Sequence, residues 1–278
     1  MNMAQNYATQ WQKSIDQIFS RGSYVKQHLG TNGITFKDAK TVVIDTLDTF
    51  APVNYNESAV DLAYGTPNLA SNSEKTYTIA HNKAVSIRIP QTLIKDTPTV
   101  TAARYTKAEL EEQFVPEYDA YALGKIDASV PVANEISYTV DTDEEKSYKT
   151  FLNLVSKTTN KRVPRESLVF FATSSYLNDV RNRISKYNDG EGGKVKNSAA
   201  MGNLAKVPVI EVPEDIMPAG TLGILASKKS VFAPVKVDEV IVHTKIPEFS
   251  GVGLNIRQRN DVFVFANKAA GLAAIKVA

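Results

Sequence analysis

The longest helical pattern of the chain ends in Glu111–Ile126, which reads EEQFVPEYDAYALGKI. From about Thr99 onward, apolar and aromatic side chains recur every three or four residues, and this spacing predicts one long helix with a single apolar face. Pro116 lies inside the pattern and should kink or locally break the helix, because proline removes a backbone donor and crowds the preceding turn. Such a helix needs a sheet or a partner to cover its apolar face, which consists of Leu110, Phe114, Tyr118, Tyr121 and Ala122.

This helix carries mainly negative charge, although the chain as a whole is almost neutral. The 278 residues contain 32 Lys and Arg against 30 Asp and Glu, so the net charge is +2. This balance lacks the basic excess of a dedicated nucleic-acid binder. The near-neutrality is a cancellation, because residues 104–119 alone carry −3, from Arg104 and Lys107 against Glu109, Glu111, Glu112, Glu117 and Asp119.

Two later segments carry the compensating positive charge. Residues 181–196 have five basic and two acidic side chains, and residues 225–278 have eight basic and four acidic ones. Opposite local charges that cancel overall suit identical subunits that associate side by side, although ordinary scattered surface charge is the alternative. We predict assembly contacts at both kinds of segment, with candidates Glu109, Glu111, Glu112, Arg181, Arg183, Lys194, Lys196, Arg257 and Arg259.

Upstream of the long helix, the sequence predicts an arm and a hairpin. Residues 4–21 form a helical pattern whose apolar stripe either packs on its own domain or contacts a neighbouring subunit, and Trp11, Ile15 and Phe19 join the predicted assembly contacts. Two strand patterns follow, at 34–44 and 77–89, separated by a polar span at 54–73. A hairpin this polar needs another surface to rest on.

Downstream of the long helix, helices alternate with short strands, and the last third of the chain contains only strand patterns. This arrangement predicts an α+β chain, with a mobile glycine-rich loop at 189–205. The predicted helices are 144–161 and 174–187, and the predicted strands are 168–172, 207–212, 222–226, 231–242, 252–265 and 272–277.

The sequence contains none of the usual catalytic or ligand-binding patterns. It has no cysteine, which excludes thiolate zinc sites, iron–sulfur clusters, cysteine nucleophiles and disulfides. The glycine cluster at 190–194 lacks the spacing of a phosphate-binding loop, and the three histidines, His28, His81 and His243, are far apart. We therefore predict that the protein is not an enzyme and has no catalytic residue, cofactor or metal.

Two short patterns resemble catalytic motifs without their companions. Ser23–Lys26 has the Ser-x-x-Lys spacing of penicillin-recognising enzymes, and Tyr121–Lys125 has the Tyr-x-x-x-Lys spacing of short-chain dehydrogenases. We interpret Tyr121 as a core residue with Lys125 as its solvated neighbour, and His81 and His243 as hydrogen-bonded structural residues. The alternative from another functional class is a soluble α/β enzyme whose site forms around His81 or His243.

The order of these parts, and three stretches of sequence, resemble the major capsid proteins of tailed bacteriophages, which have the Hong Kong 97-type fold. The stretch 111–126 resembles the end of that family's spine helix, with its Val-Pro-Glu-x-Asp-x-Tyr run. The stretch 207–218, VPVIEVPEDIMP, resembles the segment that leads into the late strands. The stretch 228–274 resembles the closing strands, with an Arg-x-x-x-Asp-x-x-Val pattern.

The resemblance implies an α+β chain with the domains of that fold. An N-terminal arm would span 1–29, an extended β-hairpin loop 30–90, and the spine helix with the first part of the peripheral domain 91–130. The axial domain would span 131–227, and the strands of 228–278 would complete both domains.

The resemblance also implies a function and partners. The chain would form pentamers and hexamers of an icosahedral shell around double-stranded DNA, which it would contact without sequence specificity. Expected partners are a separate scaffolding protein, a portal protein and, as an optional addition, a decoration protein, and no membrane is involved. The shell would assemble in the host cytoplasm and end in the virion. An encapsulin-like compartment is the alternative with the same fold.

Overall fold

The computed structural model describes residues 22–29, 41–47, 50–58, 64–69, 72–96, 102–139, 144–187 and 203–278. The chain forms two compact units, residues 32–80 and residues 1–31 with 81–278. Several predicted assembly contacts lie outside the described residues, namely Trp11, Ile15, Phe19, Lys194, Lys196 and the side chain of Arg183.

The smaller unit is an antiparallel hairpin. Strand β1, Thr41–Leu47, pairs over its full length with strand β2, Asn72–Thr78. Between them lie two described segments, 50–58 and 64–69, which we call the hairpin connection. Gly65 has a φ of +78°, and a Cβ at this position would lie 2.7 Å from Val53 Cγ2, so the close contact requires glycine.

The predicted second strand of the hairpin is not continuous. It breaks around His81, and the compact unit that contains the hairpin ends at Ala80. The reason is that its two halves pair with different partners, since β2 pairs with β1 and the following strand pairs with a late strand of the larger unit.

The larger unit contains all the other elements. Its helices are α1 (Tyr24–His28), α2 (Gln91–Asp96), α3 (Ala102–Glu109), α4 (Val115–Ala128), α5 (Glu144–Thr159) and α6 (Ser174–Tyr187). Its strands are β3 (Asn82–Pro90), β4 (Glu135–Tyr138), β5 (Leu168–Thr173), β6 (Asn203–Leu204), β7 (Val207–Val212), β8 (Thr221–Ser227), β9 (Val231–Phe232), β10 (Val235–His243), β11 (Gly251–Asn260), β12 (Phe263–Val264) and β13 (Leu272–Val277). None of the helices described is long and apolar enough to cross a bilayer.

The predicted long helix is present, and it is interrupted near its proline as expected. A π-helical turn, Leu110–Phe114, connects α3 to α4, and the Val115 N–H donates to the carbonyl of Leu110 five residues earlier. Pro116 follows directly and has no N–H for an α-helical bond. The π turn accommodates this missing donor without ending the helix.

A six-stranded sheet forms the centre of the larger unit. Its strand order is β4-β13-β8-β5-β7-β6, with parallel pairs β13/β4 and β5/β7. Every residue of β5 and β8 is buried, because helices α5 and α6 pack on one face and α4 on the other. The alternation in β5 shows this, since Phe170 lies in the core with α5 and α6 and Phe171 lies in the core with α4.

A three-stranded antiparallel sheet, β10-β11-β3, packs its inner face on the same core as α4. A Cβ at Gly251 would lie 2.1 Å from the carbonyl oxygen of Ile89, so β11 needs glycine to approach β3 this closely. The predicted strands at 231–242 and 252–265 are each divided in two. Pro234 and Asp261 lie at the breaks, and the detached pieces β9 and β12 pair with each other.

Candidate functional site

Polar side chains of α4 connect the long helix to three distant parts of the chain. Positions 117, 121 and 125 are four residues apart and share one side of the helix, whereas position 119 lies on the other side. We call this set and its partners the polar hub, which consists of Ser23, His81, Lys83, Glu117, Asp119, Tyr121, Lys125, Asn260 and Asp261.

Asp119 binds the first turn of α1. Its fully buried carboxylate accepts hydrogen bonds from Ser23 Oγ at 2.6 Å and from the backbone N–H groups of Tyr24 and Val25 at 2.9 and 3.3 Å. These donors would otherwise be unpaired at the start of a helix. Burial raises the pKa of Asp119, and the three hydrogen bonds and nearby Lys26 oppose that shift.

Glu117 binds His81 and Lys83, which are among the first residues of the chain segment 81–278 of the larger unit. Its carboxylate lies 3.0 Å from His81 Nε2 and 2.8 Å from Lys83 Nζ. Partial burial alone would raise the pKa of Glu117, but hydrogen bonds from Lys83 and His81 and their positive charge hold it below its ordinary value. On the other side of the imidazole, His81 Nδ1 lies 2.5 Å from Asn260 Oδ1. Glu117 and His81 therefore link the long helix to β3 and to the end of β11.

Tyr121 and Lys125 both bind Asp261, which is fully buried between β11 and β12. The Tyr121 hydroxyl and Lys125 Nζ donate to the same carboxylate oxygen, at 2.9 and 2.8 Å. Burial raises the pKa of the Tyr121 hydroxyl, and the adjacent Asp261 adds to that increase. The interpretation of Tyr121 as a core residue and Lys125 as its solvated neighbour is therefore wrong, because both side chains anchor a turn 136 or more residues away.

The hub is arranged as a structural connection. His81 is only 6% exposed, and both of its ring nitrogens face protein oxygens, which leaves no free nitrogen for a substrate. His243 is exposed and lies 3.1 Å from Asn255 Nδ2. Among the described residues, no group of three metal-ligating side chains is close enough to hold an ion. A shallow cavity of about 450 Å³ on the outer face of the three-stranded sheet is lined by β3, β10 and β11 and includes no hub residue.

The predicted assembly contacts that the structure describes lie on separate surfaces. Glu109, Glu111 and Glu112 lie on the long helix, where Glu111 is 3.9 Å from Lys107. Arg181 on α6 binds Glu211 at 2.7 Å. Arg257 and Arg259 lie on the outer face of β11, where Arg257 Nε donates to Asn82 at 3.3 Å. The structure thus gives Arg181 and Arg257 intramolecular partners and does not test their role in assembly.

The sequence interpretation missed most of the hub. The polar residues at 117, 121 and 125 were a usable signal, because their spacing of four places them on one face of the predicted helix. The interpretation of His81 as a hydrogen-bonded structural residue is confirmed, but no local pattern indicated that its partners are Glu117 and Asn260 or that Asp261 binds α4.

Several solved structures that are distant in sequence have a similar fold. The capsid of cyanophage P-SCSP1u has a TM-score of 0.67 and 8% identity over 90% of this chain and 85% of that one. A structure from Microbacterium phage Oxtober96 has a TM-score of 0.66 and 13% identity over 92% and 91% of the two chains. A virus-like particle from Pyrococcus furiosus has a TM-score of 0.63 and 10% identity over 97% and 99%.

No family model and no curated protein matches the sequence. The structural likeness nevertheless covers most of each chain, and the predicted fold is confirmed: the chain has the α+β Hong Kong 97-type capsid fold.

Proposed function

We propose that this chain is the major capsid protein of a tailed bacteriophage and that many copies form an icosahedral shell around a double-stranded DNA genome. The observation that carries the proposal, together with the fold, is the exposed apolar surface of the hairpin connection. Five of its large side chains are 50–90% exposed, namely Phe50, Val53, Tyr55, Tyr64 and Leu69. A two-stranded hairpin is marginally stable alone, and an apolar patch of this kind marks an interaction site.

The hairpin connection has the character of an interface anchor. The rings of Tyr55 and Tyr64 contact each other edge to face, with centroids 5.0 Å apart, and Val53 packs over Gly65. Aromatic residues are enriched at the energetic centres of protein interfaces. This contact fixes the two segments against each other while their outer surfaces stay exposed, so a neighbouring subunit is the natural partner.

Charge favours a second copy of the chain as that partner. Residues 41–78 contain five acidic side chains and one basic one, Lys75, which gives −4. The outer face of the three-stranded sheet presents Arg88, Arg257 and Arg259 against one described acid, Glu239, and includes the 41% exposed Ile241. We propose that the hairpin of one copy binds this face of the next, which would give Arg257 and Arg259 their predicted role in assembly.

The remaining parts of the proposal follow from the capsid role. The chain associates with itself as pentamers and hexamers, with a scaffolding protein, a portal protein and, as an optional addition, a decoration protein, and with packaged DNA without sequence specificity. It assembles in the host cytoplasm, ends in the virion and performs no catalysis. The arm at 1–29, the axial domain at 131–227 and the peripheral domain remain predictions, as do the acidic contacts on the long helix.

A second candidate is the shell of an encapsulin-like compartment, which the likeness to the Pyrococcus furiosus virus-like particle favours. Genes for a terminase and a portal beside this one would identify a phage capsid, whereas a cargo enzyme with a targeting tail would identify a compartment. The enzyme alternative is tested by replacing His81 and His243 with Ala and screening the wild type and variant for any activity that depends on them.

The direct test is electron microscopy of the full chain, expressed with its scaffolding protein. We expect closed shells from the wild type and none from Phe50→Ser/Leu69→Ser, whose circular dichroism and thermal melt should stay unchanged because both side chains are exposed. Val132→Ser is the matched control, because Val132 is 83% exposed outside the hairpin unit. A wild type that stays monomeric, or a hairpin variant that assembles normally, would contradict the proposal.

A further inference from the structure

Seven basic side chains lie at one end of the six-stranded sheet. Strands β4, β5 and β13 begin at this end and β8 ends there, so the turns that flank them are neighbours. We call the set the basic end, and it consists of Lys157, Lys161, Arg162, Arg165, Lys228, Lys229 and Lys268.

Backbone and side-chain hydrogen bonds bring these turns together. The Lys228 N–H donates to the carbonyl of Ser167 at 2.8 Å, and Ser230 Oγ donates to the carbonyl of Lys268 at 2.7 Å. Lys157 Nζ donates to the carbonyls of Ala133 and Glu135, both at 3.1 Å. Three segments that are far apart in sequence therefore present their cations on one surface, beside the turn that precedes β4.

The charge of the basic end is not neutralised within the described part of the chain. None of its seven cations forms an ion pair with a described carboxylate, and six of the seven are exposed. Glu135 and Glu166 are the acidic residues of the same turns, so seven minus two leaves +5. The positive field reaches α1, where burial and then the charge of Lys228 lower the pKa of His28.

We propose that the basic end binds the phosphate backbone of the packaged DNA without sequence specificity, an inference that rests on the proposed capsid function. Four strands at a spacing of about 4.8 Å span about 14 Å. A duplex carries about eight phosphates over that length, at one charge per roughly 1.7 Å. The surface therefore offers cations at a density comparable to that of the phosphates.

The composition of the surface favours nucleic acid over an acidic protein partner. Protein interfaces are depleted of lysine and usually have an apolar centre, whereas phosphate contacts need only exposed cations. Of the large apolar side chains described as exposed, only Val132 belongs to these turns. An acidic surface of another subunit is the competing partner, and the experiment below separates the two.

The test compares two triple variants of the full chain. Lys228→Gln/Lys229→Gln/Lys268→Gln removes three charges from the basic end, and Lys95→Gln/Lys149→Gln/Lys245→Gln removes three exposed charges elsewhere. Binding to a fluorescent DNA duplex of random sequence is measured by anisotropy from about 50 to 200 mM salt. Each lost phosphate contact should make the negative slope of log K against log salt shallower by about 0.9. The slope of the first variant should therefore be shallower than that of the wild type by about 2.7, and the slope of the control variant should be unchanged.

The outcomes of this test are distinct from those of the capsid test. A variant with the wild-type slope overturns the DNA site even if the wild type forms shells. A variant that fails to assemble while its DNA binding is unchanged also overturns it, because the partner is then a protein surface. If the slope falls as expected but the wild type forms no shells, the DNA site stands and the capsid proposal fails.

Discussion

The polar hub and the basic end use the same kinds of charged side chain in opposite ways. In the hub, Lys125 lies 2.8 Å from a fully buried carboxylate, and the Glu117 carboxylate binds Lys83 and the imidazole of His81. At the basic end, no cation has a described carboxylate partner. The difference teaches that charge in this chain has two separate roles. Paired charges connect elements of one subunit, and unpaired charges remain available for molecules outside it.

Replacing one lysine of each region with Met should give the largest difference in stability between the two regions. Lys125→Met removes the ammonium group that lies 2.8 Å from the buried carboxylate of Asp261, which should lower the free energy of unfolding by about 3 kcal/mol. Lys228→Met removes an exposed charge that has no described carboxylate partner, so it should change the free energy of unfolding by less than about 0.5 kcal/mol. Urea denaturation of both variants measures the difference, and equal effects would show that the hub pairing does not stabilise the fold.

Removing the partly exposed carboxylate of Glu117 should lower the free energy of unfolding by a smaller amount, and that amount should depend on pH. Glu117→Gln should lower the free energy of unfolding by about 1 kcal/mol at neutral pH, because His81 and Lys83 lose an ionised partner. The pKa of Glu117 is lower in the folded state, so its carboxylate stabilises the fold above the unfolded pKa. This stabilisation is lost as the pH falls through the folded pKa.

The measurement is the gap in unfolding free energy between wild type and Glu117→Gln as a function of pH. The gap should close in acid, since the wild-type carboxyl is then protonated as well. Glu112→Gln is the control, because Glu112 is an exposed residue of the same helix and should show no such gap. A gap that stays constant down to the lowest pH would mean that Glu117 acts through its shape and not its charge.

Reducing the charge of the basic end should produce the smallest effect, with the opposite sign. The Lys228→Gln/Lys229→Gln/Lys268→Gln variant relieves repulsion between cations that have no described carboxylate partner, although it also removes the contact of Lys268 with the Phe265 ring. Its Tm should rise by about 1 °C at low salt. The gain should disappear at high salt, because screening weakens repulsion between exposed charges. A Tm that falls at low salt would reveal a stabilising partner for these lysines.

The sequence predicted the elements better than their connections. The apolar spacing from Leu110 to Ala122 was enough to predict the long helix, and proline chemistry was enough to predict its interruption at Pro116. Short apolar runs identified the buried strands β5 and β8, because a strand covered on both faces has no polar alternation. These are local properties of the chain, and a single sequence contains them.

Connections between distant segments were not predictable in the same way. His81 binds Glu117 and Asn260, which are 36 and 179 residues away, and no local pattern indicates those partners. The acidic face of the long helix was also overestimated for this reason. Glu117 and Asp119 belong to the predicted −3, yet both bind groups within the subunit, and Glu111 lies 3.9 Å from Lys107. Glu109 and Glu112 are therefore the acids of this set with no described partner in the subunit.

The π turn at Leu110–Phe114 changes the directions in which the side chains on either side of it point around the axis of the long helix. Every fourth residue from Leu110 to Ile126 is buried, namely Leu110, Phe114, Tyr118, Ala122 and Ile126. In an uninterrupted α-helix each step of four overshoots a full turn by about 40°, so four steps would carry this row about 160° around the axis. A wider turn takes up an additional residue and corrects part of that drift. The bulge next to Pro116 therefore helps this row of side chains to face a single core, while Glu117 and Asp119 keep their opposite directions.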